Sequence, residues 1–146
     1  MSDVVIRQAC VDDINKIFEI DNEYELDKYS ADLIKKSLED EFIINFIAEK
    51  DGQSIGYISA TIVIDECNIL KIVVARNFRH EGVATSLLQY TMQYAKNHGI
   101  KTVFLEVRKG NKVAKNFYEK NGFILEYKRQ KYYDDGEDAD IYYFYL

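Results

Sequence analysis

The segment Arg79-His80-Glu81-Gly82-Val83-Ala84 has the makings of a phosphate cradle. Upstream lies Ile69-Leu70-Lys71-Ile72-Val73-Val74, β-branched and nearly continuous in apolar character, as a strand covered on both faces would read. Downstream, Val83, Ala84, Leu87, Leu88, Thr91, Met92 and Ala95 recur at helical spacing, and Gly99 supplies the stop. A glycine in the first helical turn lets a ligand approach the backbone, while unpaired N–H groups and the positive dipole end favour a diphosphate. Arg79 adds a fixed positive charge. A second candidate is Glu106. Strand alternation over Thr102 to Val107 puts Val103, Leu105 and Val107 on one face and Phe104, Glu106 and Arg108 on the other. An acid beside an aromatic, late in a central strand, is partly desolvated, which raises its pKa towards that of a useful base. The competing reading is an ion pair of Glu106 with Arg108 or a lysine and no chemical role.

Positioning these groups requires a sheet with helices. Val4 to Gln8 reads as a first strand. Asp12 or Asp13 can cap a helix carrying Ile14, Ile17, Phe18 and Ile20, and Ser30 can cap a second carrying Leu33, Ile34 and Leu38. Phe42 to Glu49 and Ser54 to Ile64 form a hairpin about Asp51-Gly52. After the strand ending at Val74 and the helix from Gly82 to His98, Thr102 to Val107 is a further strand. Asn111 to Lys120 is a short helix ending at Asn121-Gly122, and strands Phe123 to Arg129 and Ile141 to Leu146 follow. This order implies a mixed α/β sheet with helices on both faces. Ligands in such sheets sit beyond strand C-terminal ends near helix N-termini, which places Arg79 to Ala84 and Glu106 to Asn111 at one rim.

Composition sets the outer bounds. At 146 residues and 47% hydrophobic content, the chain (1–146) suits one domain with a sizeable core. Cys10 and Cys67 form no C-x-x-C pair and no histidines cluster near them, which argues against a disulfide framework or a metal site. Asp3, Arg7, Asp12 and Asp13 interrupt any signal-peptide core, and no apolar run approaches membrane-spanning length. A cytoplasmic setting is the expectation. The formal charge of -6 disfavours nonspecific nucleic-acid binding. The acidic run Asp134, Asp135, Glu137, Asp138 and Asp140 reads as a steering field for a cation or, more ordinarily, as a solvated loop.

The order of strand, Arg79-x-x-Gly82-x-Ala84, long helix, Leu105-Glu106-Val107-Arg108, Asn111 and Phe117-Tyr118 resembles the GNAT family of acetyl-CoA-dependent N-acetyltransferases. Within it the chain resembles the RimI-like group that acetylates protein N-termini. Leu105 to Asn111 is similar to the family's L-E-V-R-x-x-N, and Phe117 to Phe123 to its L-Y-x-x-x-G-F. Lys131-Tyr132-Tyr133 with Asp135 to Ala139 resembles the group's Y-Y-x-D-G-E-D-A tail. The resemblance covers the last half of the chain most closely. It implies a GNAT-type fold, about six to seven strands flanked by about four helices on both faces.

The resemblance also implies roles. Ile72, Val73 and Val74 match the strand end whose backbone pairs with the pantetheine arm of acetyl-CoA, and His80, Glu81, Gly82, Val83, Ala84 and Thr85 match the pyrophosphate loop. Asn111 matches a cofactor-contacting asparagine, and it reads equally well as a plain helix cap. Amine acetylation must remove a proton from an ammonium, stabilise an oxyanion and protonate a thiolate. Glu106 fits the first task and Tyr118, by its match to the family's L-Y position, the third; the N–H at the end of the Ile72 to Val74 strand fits the second. Without the match, Tyr118 reads as amphipathic packing. With no Cys-His pair for an acyl-enzyme, transfer is direct in a ternary complex. Tyr29, Tyr132 and Tyr133 line the implied acceptor groove. The family group's Pro-Trp-Ser segment is replaced here by Asp27-Lys28-Tyr29-Ser30, and Lys71 stands where asparagine is common. Three functions therefore stay open: a protein N-terminal acetyltransferase, a small-amine acetyltransferase, and a CoA-binding regulatory module without turnover.

Overall fold

The computed structural model describes residues 3–24 and 27–146. Seven strands form one sheet: β1 Val5–Gln8, β2 Ile43–Lys50, β3 Gln53–Val63, β4 Glu66–Val74, β5 Thr102–Arg108, β6 Ile124–Arg129 and β7 Ala139–Tyr145. Their spatial order is β1-β2-β3-β4-β5-β7-β6, antiparallel everywhere except between β4 and β5. Four helices flank it: α1 Ile14–Asn22, α2 Ala31–Glu39, α3 Val83–Asn97 and α4 Lys112–Lys120. This is the mixed architecture that the sequence implies.

The helices cover opposite faces. Val83, Leu87, Leu88 and Ala95 of α3 and Tyr118 of α4 pack into one core with Phe46, Ile58, Val103, Leu105 and Val107. Ile17 and Ile20 of α1 and Ile34 of α2 pack into a second with Ile47, Tyr57 and Val73. Gly99, at φ +79°, closes α3 by letting Ile100 N–H return to the Ala95 carbonyl at 3.0 Å. Ser30 caps α2 as expected, accepting from Leu33 N–H at 3.1 Å. Of the two expected caps, Asp12 or Asp13, the second is the N-cap residue of α1, but its side chain bonds no helix N–H. Its buried carboxylate turns back to Arg7 at 2.7 Å and to Cys10 N–H at 2.9 Å, because a guanidinium partner outweighs a free helix N–H. Arg7 holds the Asp13 carboxyl well below the usual carboxylate range.

The β4 run is also corrected. Ser59 pairs with Lys71 but Ala60 with Ile69, so Leu70 is an extra residue, 40% exposed. Such a bulge reverses the alternation beyond it. Cys67 and Ile69 face the α3 core before it, and Ile72 and Val74 face that core after it. Lys71 and Val73 are thereby sent to the α1/α2 face. No helix among the described residues is long and apolar enough to cross a membrane.

Candidate active site

Strands β4 and β5 pair only through Glu66↔Thr102, Cys67↔Val103 and Asn68↔Phe104, then part. The gap that opens is flanked by main-chain groups with no strand to bond. Ala75 N–H donates to the Ile55 carbonyl at 2.7 Å, which fixes the parity of the β3–β4 ladder. Val73 therefore spends its backbone on β3, whereas Ile72 and Val74 direct theirs into the gap. The trio Ile72, Val73 and Val74 is thus narrowed to its outer members; Val73 is 1% exposed in the second core. The Val74 carbonyl accepts from Arg79 Nε at 2.9 Å.

The Arg79 to Thr85 loop lies at the mouth of this gap. Gly82, at φ +85°, turns the chain into α3, and no side chain caps the helix. Ser86 N–H is satisfied by the Gly82 carbonyl at 3.0 Å, which leaves the Val83, Ala84 and Thr85 N–H groups without helical partners. A Cβ at Gly82 would meet nothing within 4 Å, so the space over the loop is open. His80 also holds a positive φ, +66°. The side chains of His80 and Glu81 point into solvent, Glu81 lying 3.6 Å from Lys50 Nζ, while Val83 is 3% exposed in the core. These residues offer backbone, not side chains. Arg79 Nη2 is buried without a partner. Unpaired N–H donors around open space, with a partnerless guanidinium nitrogen behind them, fit a diphosphate.

Glu106 is half-buried on β5, and burial raises its carboxyl pKa, opposed by its own backbone N–H and by Arg129. Its carboxylate makes no salt bridge among the described residues. The competing ion pair with Arg108 fails, since Arg108 is engaged by Asp27, Asp135 and Glu137 at 2.8–3.0 Å. On the opposite face Tyr118 is buried, edge-on to Phe117 at 5.1 Å and to Phe123 at 5.5 Å. Burial pushes its phenol well up, with Tyr24 adding to the rise, so it stays a proton donor at neutral pH. The ring packs in the core, and its hydroxyl bonds no other described residue. Asn111 is the α4 cap: its Oδ1 accepts from Ala114 N–H at 3.1 Å, leaving Nδ2 uncommitted among the described residues. Capping thus occupies the amide oxygen alone.

The three tyrosines separate. Tyr29 lies on Lys71, whose Nζ is 3.9 Å from the ring centroid, and its N–H donates to Asp21 at 2.6 Å. Tyr133 stacks on the Arg108 guanidinium at 4.1 Å, and burial raises its phenol pKa to about 12. Tyr132 stands further out, 43% exposed, edge-on to Tyr133. The acidic run is corrected from a solvated loop to structural use. Asp135 and Glu137 hold Arg108, Asp138 accepts from Lys131 N–H at 2.9 Å, and the fully buried Asp140 lies 2.7 Å from Lys115 Nζ.

Sequence reading missed the buried pair Lys71–Asp21, 2.6 Å apart, with Tyr57 OH donating to the same carboxylate at 2.6 Å. A signal existed. Asp21 continues the apolar stripe Ile14, Ile17, Phe18, and Lys71 interrupts an apolar strand, so each charge sits where its pattern calls for a hydrophobe.

The family and the fold are both matched among known proteins. Residues 10–123 match the model of the acetyltransferase (GNAT) family. An N-alpha-acetyltransferase of Sulfurisphaera tokodaii is 31% identical over 92% of this chain and 88% of its own. The ribosomal protein bS18-alanine N-acetyltransferase of Escherichia coli K12 is 31% identical over 67% of this chain and 68% of its own. The crystal structure of the ribosomal-protein-S18-alanine N-acetyltransferase from Escherichia coli superposes with a TM-score of 0.90 at 25% identity, covering 99% of this chain and 94% of that one.

Proposed function

Because the chain belongs to the acetyltransferase (GNAT) family, we propose that it moves the acetyl group of acetyl-CoA directly to the α-amine of a protein N-terminus. The observation that carries this is the parted β4/β5 pair. It brings free main-chain donors, an anion cradle and an unpaired carboxylate to one opening. Two of the similar proteins are named an N-alpha-acetyltransferase and a ribosomal protein bS18-alanine N-acetyltransferase, which favours a protein α-amine over a small amine.

When bound, acetyl-CoA supplies the activated acetyl thioester. The Val83, Ala84 and Thr85 N–H groups and Arg79 hold the diphosphate at the start of α3, with the His80-Glu81-Gly82 turn shaping the approach. Ile72 main-chain groups would align the pantetheine arm, and Val74 N–H would be the donor for the carbonyl oxygen on which charge develops. Asn111 Nδ2 adds a donor from the α4 cap. Glu106 accepts the proton that the acceptor ammonium must lose, directly or through a water. Tyr118 returns a proton to the leaving sulfur from the other side of the sheet, and its raised pKa keeps that proton available. Tyr29 and Tyr133 flank the acceptor, with Tyr132 at the outer edge. An acyl-enzyme on Cys67 is disfavoured: it lies fully buried in the core, where burial raises its thiol pKa to about 12.

A panel of N-terminal peptides assayed beside free polyamines tests the acceptor. Acetylation of peptide α-amines with kcat/KM at least about tenfold above that of any polyamine is expected. Turnover of small amines alone would refute the peptide reading, and acetyl-CoA binding without turnover of either would return the chain to a regulatory module.

A further inference from the structure

In the α1–α2 loop, Asp27 contacts side chains from both strands that flank the gap. Asp27 is held at φ +58°, a left-handed conformation that aspartate reaches more readily than most residues but still at a cost. Two cations enforce it. Lys71 Nζ donates to the Asp27 carbonyl, and Arg108 grips the Asp27 carboxylate with both prongs, Nε to Oδ2 at 3.1 Å and Nη2 to Oδ1 at 3.0 Å. Lys71 belongs to β4 and Arg108 to β5, the two strands that part beyond Asn68↔Phe104. Asp27 therefore bridges the two walls of the gap. Both cations are themselves fixed: Lys71, its side chain 9% exposed, by the buried Asp21 at 2.6 Å, and Arg108, 13% exposed, by Asp135, Glu137 and the face of Tyr133. Tyr29, two residues beyond Asp27, rests on the same Lys71.

We propose that Asp27 is a positioning residue for the acceptor: by binding Lys71 and Arg108 at once, it ties the α1–α2 loop across the parted strands and holds Tyr29 and Tyr133 at a fixed separation. The proposal rests on the reading that this face receives the acceptor. Preformed walls lower the ordering cost of acceptor binding and leave the proton transfers untouched, so the effect falls on acceptor KM. Asp27 is half-exposed, with 53% of its side chain in solvent, so its pair with Arg108 is screened by salt.

Two variants separate charge from conformation. Asp27→Asn keeps the shape and tolerates the left-handed region but loses the charge, and Asp27→Gly keeps the φ and loses both side-chain bonds. With an N-terminal peptide as acceptor, both raise acceptor KM about tenfold while kcat and acetyl-CoA KM stay within about twofold. Salt at about 0.5 M raises acceptor KM in the wild type and not in Asp27→Asn. In the free protein, the Tyr29 amide exchanges faster with solvent deuterium in both variants than in the wild type. An unchanged acceptor KM in Asp27→Gly, a fall in kcat matching the rise in KM, or an unaltered Tyr29 amide would each overturn the proposal. Faster exchange in the variants of a protein whose wild type acetylates no peptide would establish the tether but sink the acceptor reading, and the positioning role with it.

Discussion

Glu106→Gln lowers kcat by about 10²- to 10⁴-fold, the range for losing a general base, and leaves the dissociation constant for acetyl-CoA within about twofold. The substitution is nearly isosteric, and Glu106 has no salt-bridge partner among the described residues to be orphaned, so folding is spared. Its pH dependence follows from the direction of the shift. Burial penalises the charged carboxylate, so Glu106 gives up its proton at a pH above the ordinary glutamate value. Only the deprotonated form accepts a proton. Wild-type kcat/KM therefore rises with pH through an inflection above that value, and the inflection disappears in the variant. A steady-state pH series on both proteins checks it; a Glu106→Gln enzyme with wild-type kcat would remove Glu106 from the chemistry. Such a result, with Tyr118→Phe equally active, would favour the binding-only module.

The second large effect is at Gly82. Gly82→Asp weakens acetyl-CoA binding about 10²-fold, close to 3 kcal/mol. A carboxylate there stands in the open space over the Val83, Ala84 and Thr85 N–H groups, where it repels the diphosphate. The same charge at a helix N-terminus favours the folded state by about 0.3–1 kcal/mol, which offsets only part of the strain a side chain meets at φ +85°, so Tm falls modestly while binding falls about 10²-fold. Gly82→Asn isolates the electrostatic part, because asparagine also tolerates the left-handed region and carries no charge. It weakens binding by less than about tenfold. Calorimetric titration with CoA on the three proteins measures the difference, and equal losses in both variants would assign the effect to backbone strain.

Much of this site is legible in the chain because its parts are local. The Asp51-Gly52 hairpin, the glycine stop at Gly99, the Ser30 cap and the Gly82 turn each depend on residues within a few positions of one another. The half-buried setting of Glu106 follows from period-2 alternation alone. What escaped is non-local. The bulge at Leu70 carries no glycine or proline to mark it, yet it decides that Lys71 and Val73 face α1 and that Ile72 and Val74 face the α3 core. The Lys71–Asp21 pair joins charges fifty positions apart, and Asp27 lies eighty-one from Arg108. By composition the acidic run reads as solvated, but one largely buried guanidinium gathers Asp135 and Glu137 into a structural cluster. Side-chain pattern says which face a residue takes. Backbone parity, which removes Val73 from the gap, needs the strand register.

Acetyl-CoA bound in the opening between β4 and β5, with its diphosphate on the start of α3, has a direct readout. Amide hydrogen exchange with and without saturating acetyl-CoA tests it most directly, because the N–H groups assigned to the ligand have no partner in the sheet or helix and exchange freely in its absence. Binding should slow exchange at least about tenfold at Ile72, Val74, Val83, Ala84 and Thr85, with Val73 protected in both states by β3. Unchanged exchange at these five amides on binding, with protection arising elsewhere, would contradict the account.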